Sequence, residues 1–492
     1  MRATDRGLTL HNALTVAKRV AIVVCAALAL ALVSYVLVTG AQTGSKTRIA
    51  IALAFALGPV LLWAAIKRPI LFPVCPYVML IPFDNLLSLS RFGTLTKLLG
   101  ILAGVAIFFW LVRSKAVTRP PASLSRWGLV FLWMVMSVFW AIDPQLSLAR
   151  AGVFLELAIL YAAFCCMRPK LADVKLLIAA IVAGAFIAAA YGSYLFYHSL
   201  NVIVERLFLS NGEDVIDPNH FAAALILPIA ITTLAAIQQR RVLAKLALIG
   251  VDAVLLAGVY ASGSRGGLLA IAVVFAYIFW MSRHRYQLAV VAALAVVASF
   301  FMPNPIWGRF AAALSTGGAG RTGIWRVGLD AFKQHWLLGV GLDNFPLAYD
   351  KSYLHVFLAH FAHWGRGPHN LIISTSVELG VIGLVLMLLA WSTQYLMLKD
   401  IRRDSAVYDL KIIAQASVLG LFTASMFLDV LYTKYTWLVF LVGALTYLLW
   451  KEEQKQRSIQ LRAYATSEQD VDLVMPFPAL ETGGVRSEPL NA

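Results

Sequence analysis

Long apolar runs separated by short polar breaks follow one another from Val20 to Trp450. The runs are about 17 to 28 residues long, which suits helices crossing a hydrocarbon core about 30 Å thick, whereas barrel strands would show about 10 alternating residues. The pattern predicts spans near 20–39, 49–66, 70–88, 97–112, 127–142, 147–167, 174–197, 220–238, 244–260, 266–281, 286–302, 369–397, 410–429 and 435–450. Pro69, Pro73, Pro76 and Pro82 interrupt the third of them. With broken or re-entrant early spans, at most fourteen transmembrane helices become about twelve. The expected fold class is an all-α integral membrane protein, a polytopic helical bundle.

One break stands apart. Between Met302 and His369 lie roughly 66 residues, too many for a simple connector. We therefore expect N-terminal transmembrane helices over 1–302, a large, partly helical outer loop over 303–368, C-terminal transmembrane helices over 369–450 and a disordered tail over 451–492, where Pro476, Pro478 and Pro489 punctuate a mixed polar sequence. The first apolar run has no A-x-A-like cleavage site, so it is expected to be a retained helix.

Composition agrees with the pattern. A chain that is 60% hydrophobic and 13% charged, with mean hydropathy +0.78, is not a soluble globular protein. The net charge of +16 resides largely in short loops. Lys18-Arg19, Lys67-Arg68, Arg113 to Arg126, Arg168 to Lys175, Arg240-Arg241, Arg283 to Arg285, Lys399 to Arg403 and the tail after Lys451 all fall on one side of the predicted bundle. That side is expected to be cytoplasmic, with both chain termini on it. The charge is then explained by topology and membrane lipids, and no nucleic acid is invoked. The long loop is basic as well, although it faces out: Arg309, Arg321, Arg326, Lys333, Lys351 and Arg366 stand against Asp330, Asp343 and Asp350. An anionic substrate would account for this. Cys25, Cys75, Cys165 and Cys166 lie in or beside apolar spans and indicate neither a disulfide framework nor a metal site.

Three places on the outer side carry residues suited to chemistry. The stretch Gly317 to Trp325 (GGAGRTGIW) leads into a helical pattern through Val327, Leu329, Phe332 and Trp336. Such a turn aims backbone N–H groups at one point, and Arg321 adds donors suited to phosphate; an ordinary turn with a solvent-facing arginine is the alternative. Arg265, in Ser262 to Gly267 (SGSRGG), sits between small residues that let another backbone or a headgroup come close. It either serves the site or snorkels to ordinary lipid phosphates. His369 follows Pro368 and opens the next apolar helix, whose dipole would lower its pKa. A neutral imidazole there is either a general base or a plain helix cap. His355, His360 and His363 raise the question of zinc, but Asp350 is the only carboxylate near them in sequence. The stretch from Tyr353 to Trp364 reads more simply as an amphipathic helix in the outer interface.

Together, ASGSRGG, GRTGIWRVGLDAF followed by LLGVGLDNF, and PHNLIISTSVELGVIGL resemble the shared domain of the O-antigen ligase and polymerase family. The segment DPNHFAAALILPIA from Asp217 to Ala230 looks similar too, so the resemblance spans about 217–450. It implies a GT-C-like bundle in the bacterial inner membrane with a periplasmic active site. The implied reaction moves O-antigen from undecaprenyl diphosphate to a sugar hydroxyl of the lipid A-core oligosaccharide. By motif, the family's arginines fall on Arg265 and Arg321 and its histidine on His369. The arginines would grip the donor diphosphate and offset the charge of the leaving group. His369 would deprotonate the acceptor for a direct, inverting displacement, with no metal or other cofactor expected. An O-antigen polymerase and a protein O-oligosaccharyltransferase share this chemistry; a single outer loop of moderate size favours the ligase. A transporter of lipid-linked glycan is the alternative from a different class.

Overall fold

A computed structural model of the protein describes residues 58–89, 93–114, 117–200, 202–203, 206–207, 209–210, 215–282, 321–357 and 365–474. Helices α1 (Gly58–Lys67) and α2 (Ile70–Asp84) meet at 114°. The bend falls where Pro69 and Pro73 remove amide donors and Phe72 leaves helical backbone. A short hairpin, β1 (Ser88–Leu89) and β2 (Gly93–Thr94), precedes α3 (Leu95–Ser114), α4 (Ala122–Trp140), α5 (Pro144–Cys165) and α6 (Leu171–Tyr197). Two further strand pairs follow, β3 (Val202–Ile203) with β4 (Arg206–Leu207) and β5 (Leu209–Ser210) with β6 (Val215–Ile216). Helices α7 (Pro218–Ala224) and α8 (Ile226–Gln238) form one span, and α9 (Val242–Ser262) and α10 (Arg265–Met281) succeed it. The described part of the large loop contributes α11 (Arg321–Gln334) and α12 (Phe345–Val356), and α13 (Leu371–Leu396), α14 (Tyr408–Ser425) and α15 (Lys434–Val474) complete the chain.

Seven of the described helices are long and apolar enough to cross a membrane, and the bent α1–α2 pair makes an eighth if it is one span. The protein is a polytopic membrane protein built of helices. The spans read at 20–39 and 286–302, and the first half of the one at 49–66, lie outside the described residues. The α7–α8 span is the centre of the bundle, buried along most of its length. Small residues let its neighbours close in: a Cβ at Gly258 of α9 would lie 2.9 Å from Ala189 of α6, and one at Gly420 of α14 2.6 Å from Val274 of α10. Helix packing in a membrane gains from such close approach because lipid tails offer no hydrophobic penalty to drive association. A second cluster of large rings, Trp127, Phe154, Trp437 and Phe440, joins α4, α5 and α15.

The bundle has two polar ends. At one, Thr118 N–H donates to Cys166 O, Arg168 pairs with Glu452, Gln238 donates to Asp409 and Arg457 bonds Asp404, which gathers the short basic loops. Here α15 departs from expectation: it runs on to Val474 where a disordered tail was expected from 451. Glu453 and Arg457 pair one turn apart, and Ser405 donates to Glu453 at 2.6 Å, so polar ties replace apolar burial.

At the other end the loop between α11 and α12 docks on a break in α13. Gly380, at φ 68° and ψ −171°, interrupts α13 and frees carbonyls of the preceding turn. Val340 N–H donates to Val377 O and Gly341 N–H to Glu378 O, both at 2.9 Å, while Trp133 Nε1 takes Leu379 O. Asn344 fastens the same loop to the α4–α5 turn, accepting from Asp143 N–H at 2.7 Å and donating to Ser147 Oγ at 2.9 Å. The LLGVGLDNF sequence is thus a docking strap.

Helix α12 also corrects an expectation. It covers Phe345–Val356 in place of the interface helix read over 353–364, and residues 358–364 lie outside the described residues. Phe345, Tyr349 and Tyr353, four residues apart, form a stripe buried against Ile324, Val327 and Val377. Pro346 starts the helix there, where its missing N–H is harmless, and the aromatics face protein instead of lipid.

Candidate functional site

Three helix N-termini, those of α7, α10 and α13, converge at the docked end. Asp217 caps α7 by accepting Asn219 N–H at 2.7 Å, and Ser264 caps α10 by accepting Gly267 N–H at 3.2 Å. Asn370 caps α13, accepting from Ile372 and Ile373 at 2.9 and 3.1 Å. Each of these three ends presents backbone donors and a partial positive charge. Helix α11, described from Arg321 onward, packs beside them.

The caps are also the ties between helices. Ser264 Oγ donates to Asn219 Oδ1 at 3.0 Å, which joins α10 to α7. Asn370 Nδ2 donates to Met426 O at 3.0 Å, which joins α13 to the end of α14. Trp325 Nε1 donates to Pro368 O at 3.2 Å, which pins α11 to the residue before His369. The glycines after Arg265 serve this packing: a Cβ at Gly266 would meet Phe427 at 3.1 Å and one at Gly267 would meet Ala222 at 2.7 Å. Of the two occupants expected from the sequence, another part of the chain or a headgroup, the chain itself comes close at both glycines.

Arg265, the first residue of α10, and Arg321 of α11 are both half-buried. Of the glycine-rich turn, 317–320 lie outside the described residues, and Gly323 is inside the helix. His369 does not open α13. It lies one residue ahead of the Asn370 cap, in left-handed backbone at φ 46°, a costly conformation for an imidazole-bearing residue. Its pKa is lowered from 6.5, first by burial among its neighbours, then by Arg321 and Arg366, while Asp217 opposes them. The neutral imidazole expected from the helix dipole therefore has a different cause.

Arg321 and His369 are thus brought together, with Arg366 and Asp217 around them. Arg265 reaches the group through its neighbour: Ser264 bonds Asn219, and the adjacent His220 feels the charge of His369. His220 Nδ1 in turn shares a hydrogen bond of 2.9 Å with the hydroxyl of Tyr435 at the start of α15. The residues missing from the sequence reading are Arg206, Asp217, Asn219, His220, Arg366 and Tyr435. The DPNH segment was the available signal for three of them, since Asp-Pro-Asn is a helix start placed at the outer end of a span.

A buried charged group lies beside this site. Arg150 of α5 pairs with Asp343 at 2.8 Å and lies 4.9 Å above the ring of Tyr432. Glu378, buried, and Asp429, half-buried, lie next to them. Asp343, like His369, is held at positive φ, 61°, by the docked strap. Histidine-based metal binding gains no partner set here: His355 Nδ1 contacts Asp330 at 3.3 Å and Gln334 at 3.2 Å, and His360 and His363 lie outside the described residues. Among the described residues no group of three or more His, Cys, Asp or Glu side chains is arranged to hold a metal ion.

Residues 250–388 match a protein-family model described as O-antigen ligase. No curated protein matches the chain. The matched stretch contains Arg265, Arg321, the docking strap and His369, and ends in α13 beyond its break. Over residues 250–388 the chain is therefore similar to the O-antigen ligase family, and the starts of α10 and α13 fall within that stretch while the start of α7 precedes it.

Proposed function

We propose that the protein is an O-antigen ligase. It transfers O-antigen polysaccharide from undecaprenyl diphosphate to a sugar hydroxyl of the lipid A-core oligosaccharide, on the periplasmic face of the inner membrane. What supports this reading is the match of residues 250–388 to the O-antigen ligase family, together with the packing of α11 against the residue before His369, where Trp325 Nε1 donates to Pro368 O at 3.2 Å. Arg265, at the N-terminus of α10, and Arg321 of α11 bind the donor diphosphate. The acceptor oxygen attacks the anomeric carbon, its proton passes to the His369 imidazole, and the bond from that carbon to the diphosphate oxygen breaks. The electron pair stays on the lipid diphosphate, where the two guanidinium groups offset it. A single displacement of this kind inverts the anomeric centre. The arginines supply the positive charge that a metal would otherwise supply, so activity should persist in EDTA.

The test is purified protein with lipid-linked donor and core acceptor. Arg265→Ala and Arg321→Ala should each lower turnover by about 100-fold or more while the protein stays folded in the membrane. Near-normal turnover in either would remove that arginine from the mechanism. Product formed without nucleotide or ion gradient, and lost in His369→Ala, would exclude a transporter. In a deletion strain, loss of all O-antigen from the core with accumulation of long lipid-linked polymer identifies the ligase; a single repeat left on the core identifies a polymerase.

A further inference from the structure

Arg206 of β4 comes from the segment between α6 and α7, well before the family-matched region, yet its side chain reaches the turn that carries Arg265. Its Nε donates to Ser262 O at 3.0 Å and its Nη2 to Asn219 Oδ1 at 2.9 Å. Ser262 is the last residue of α9, where the final carbonyls have no helical donor. Gly263, at φ 60°, turns the chain, and Ser264 starts α10. Asn219 Oδ1 also accepts from Ser264 Oγ at 3.0 Å, so one oxygen receives both the guanidinium of Arg206 and the cap of α10. The end of α9, the start of α7 and the start of α10 are therefore held by one planar fork. Arg265 is the residue immediately after that cap.

We propose that Arg206 is a positioning residue for transfer: through Ser262 and Asn219 it sets the angle at which Arg265 meets the donor diphosphate. The inference rests on the reading of Arg265 as a diphosphate ligand. The fork explains why this residue is arginine. Two acceptors lie on different helices, and the guanidinium bonds them from two nitrogens held in one plane; the ammonium of lysine keeps the charge but lacks that fixed fork. Displacement of a charge-stabilising group by about 1 Å lowers turnover by about 100-fold.

Steady-state kinetics on the purified full chain test this, with donor varied at saturating acceptor and turnover expressed per folded molecule. Arg206→Lys should lower kcat by about 10- to 100-fold and leave the donor KM within about twofold. Asn219→Leu should do the same, and Asn219→Asp, which keeps an oxygen for Arg206 and Ser264, should recover most of that loss. The Arg206→Lys, Asn219→Leu double variant should fall no further than either single one, because both break the same link. A normal kcat in Arg206→Lys, a loss confined to KM, or multiplicative losses in the double variant would overturn the proposal. If Arg206→Lys does not fold, the contrast between Asn219→Asp and Asn219→Leu decides, and equal activity in the two refutes it. Arg265→Ala run in parallel separates the two levels. Activity retained there defeats the diphosphate reading itself, whereas its loss beside a normal Arg206→Lys defeats only the role of Arg206.

Discussion

Burial, Arg321 and Arg366 all favour the neutral form of His369, and Asp217 alone opposes them. The direction has a kinetic consequence. A base works only when deprotonated, so a pKa lowered from 6.5 places the rising limb of the pH–rate profile below that value. In His369→Ala the limb should vanish and kcat fall by about 10²- to 10⁴-fold. Arg321→Gln removes a cation that lowers the pKa, so the limb of its residual activity should move to higher pH. Measurement of kcat/KM against pH checks both, and a limb that stays in place in Arg321→Gln would mean its charge does not reach the base. At this scale the three proposed site residues drew notice because Gly-rich, Ser-rich and Pro-His-Asn breaks stand out in an apolar chain. The reason for the lowered pKa was not legible, since Asn370 and not His369 caps the helix, and the cations responsible come from elsewhere in the outer loop.

The elements owe their joins to backbone that only glycine adopts. Gly380 is in extended left-handed backbone, and a Cβ there would overlap the carbonyl of Leu337; Gly341, at φ 97°, abuts Ala141. Gly380→Ala should therefore cost about 3 kcal/mol or more, lowering the unfolding temperature and undocking the strap that holds Asp343. Gly250→Ala, in α9 with no other heavy atom within 4 Å of the new Cβ, serves as the control and should leave the unfolding temperature nearly unchanged. Equal behaviour of the two variants would show that the strap is dispensable. Helix existence was readable from apolar run length, which depends on neighbours in sequence. Tyr353, read from the sequence as part of a lipid-facing helix, is buried against protein, because period alone does not say whether a face meets lipid or protein.

Across the whole molecule, the short basic loops collect at one end and the convergent helix starts at the other. If the basic end is cytoplasmic, a cysteine-free background carrying Trp336→Cys should react with an impermeant maleimide in spheroplasts, and one carrying Arg402→Cys only after the membrane is opened. Both positions are exposed in the fold. The reverse pattern would put the site in the cytoplasm and end the ligase reading. The sequence by itself determined the class, most of the described helices and the sidedness of charge, since hydropathy and charge bias act along the chain and add up locally. Only the tertiary structure decided which helix starts meet. Arg206, Asn219 and Ser264, like His220 and Tyr435, come from separate stretches of chain, and close packing through Gly266 and Gly267 brings those stretches into hydrogen-bonding range. In a bundle whose lipid-facing surfaces are uniformly apolar, that choice falls to small residues and polar ties between helices, which no pattern along one stretch of chain encodes.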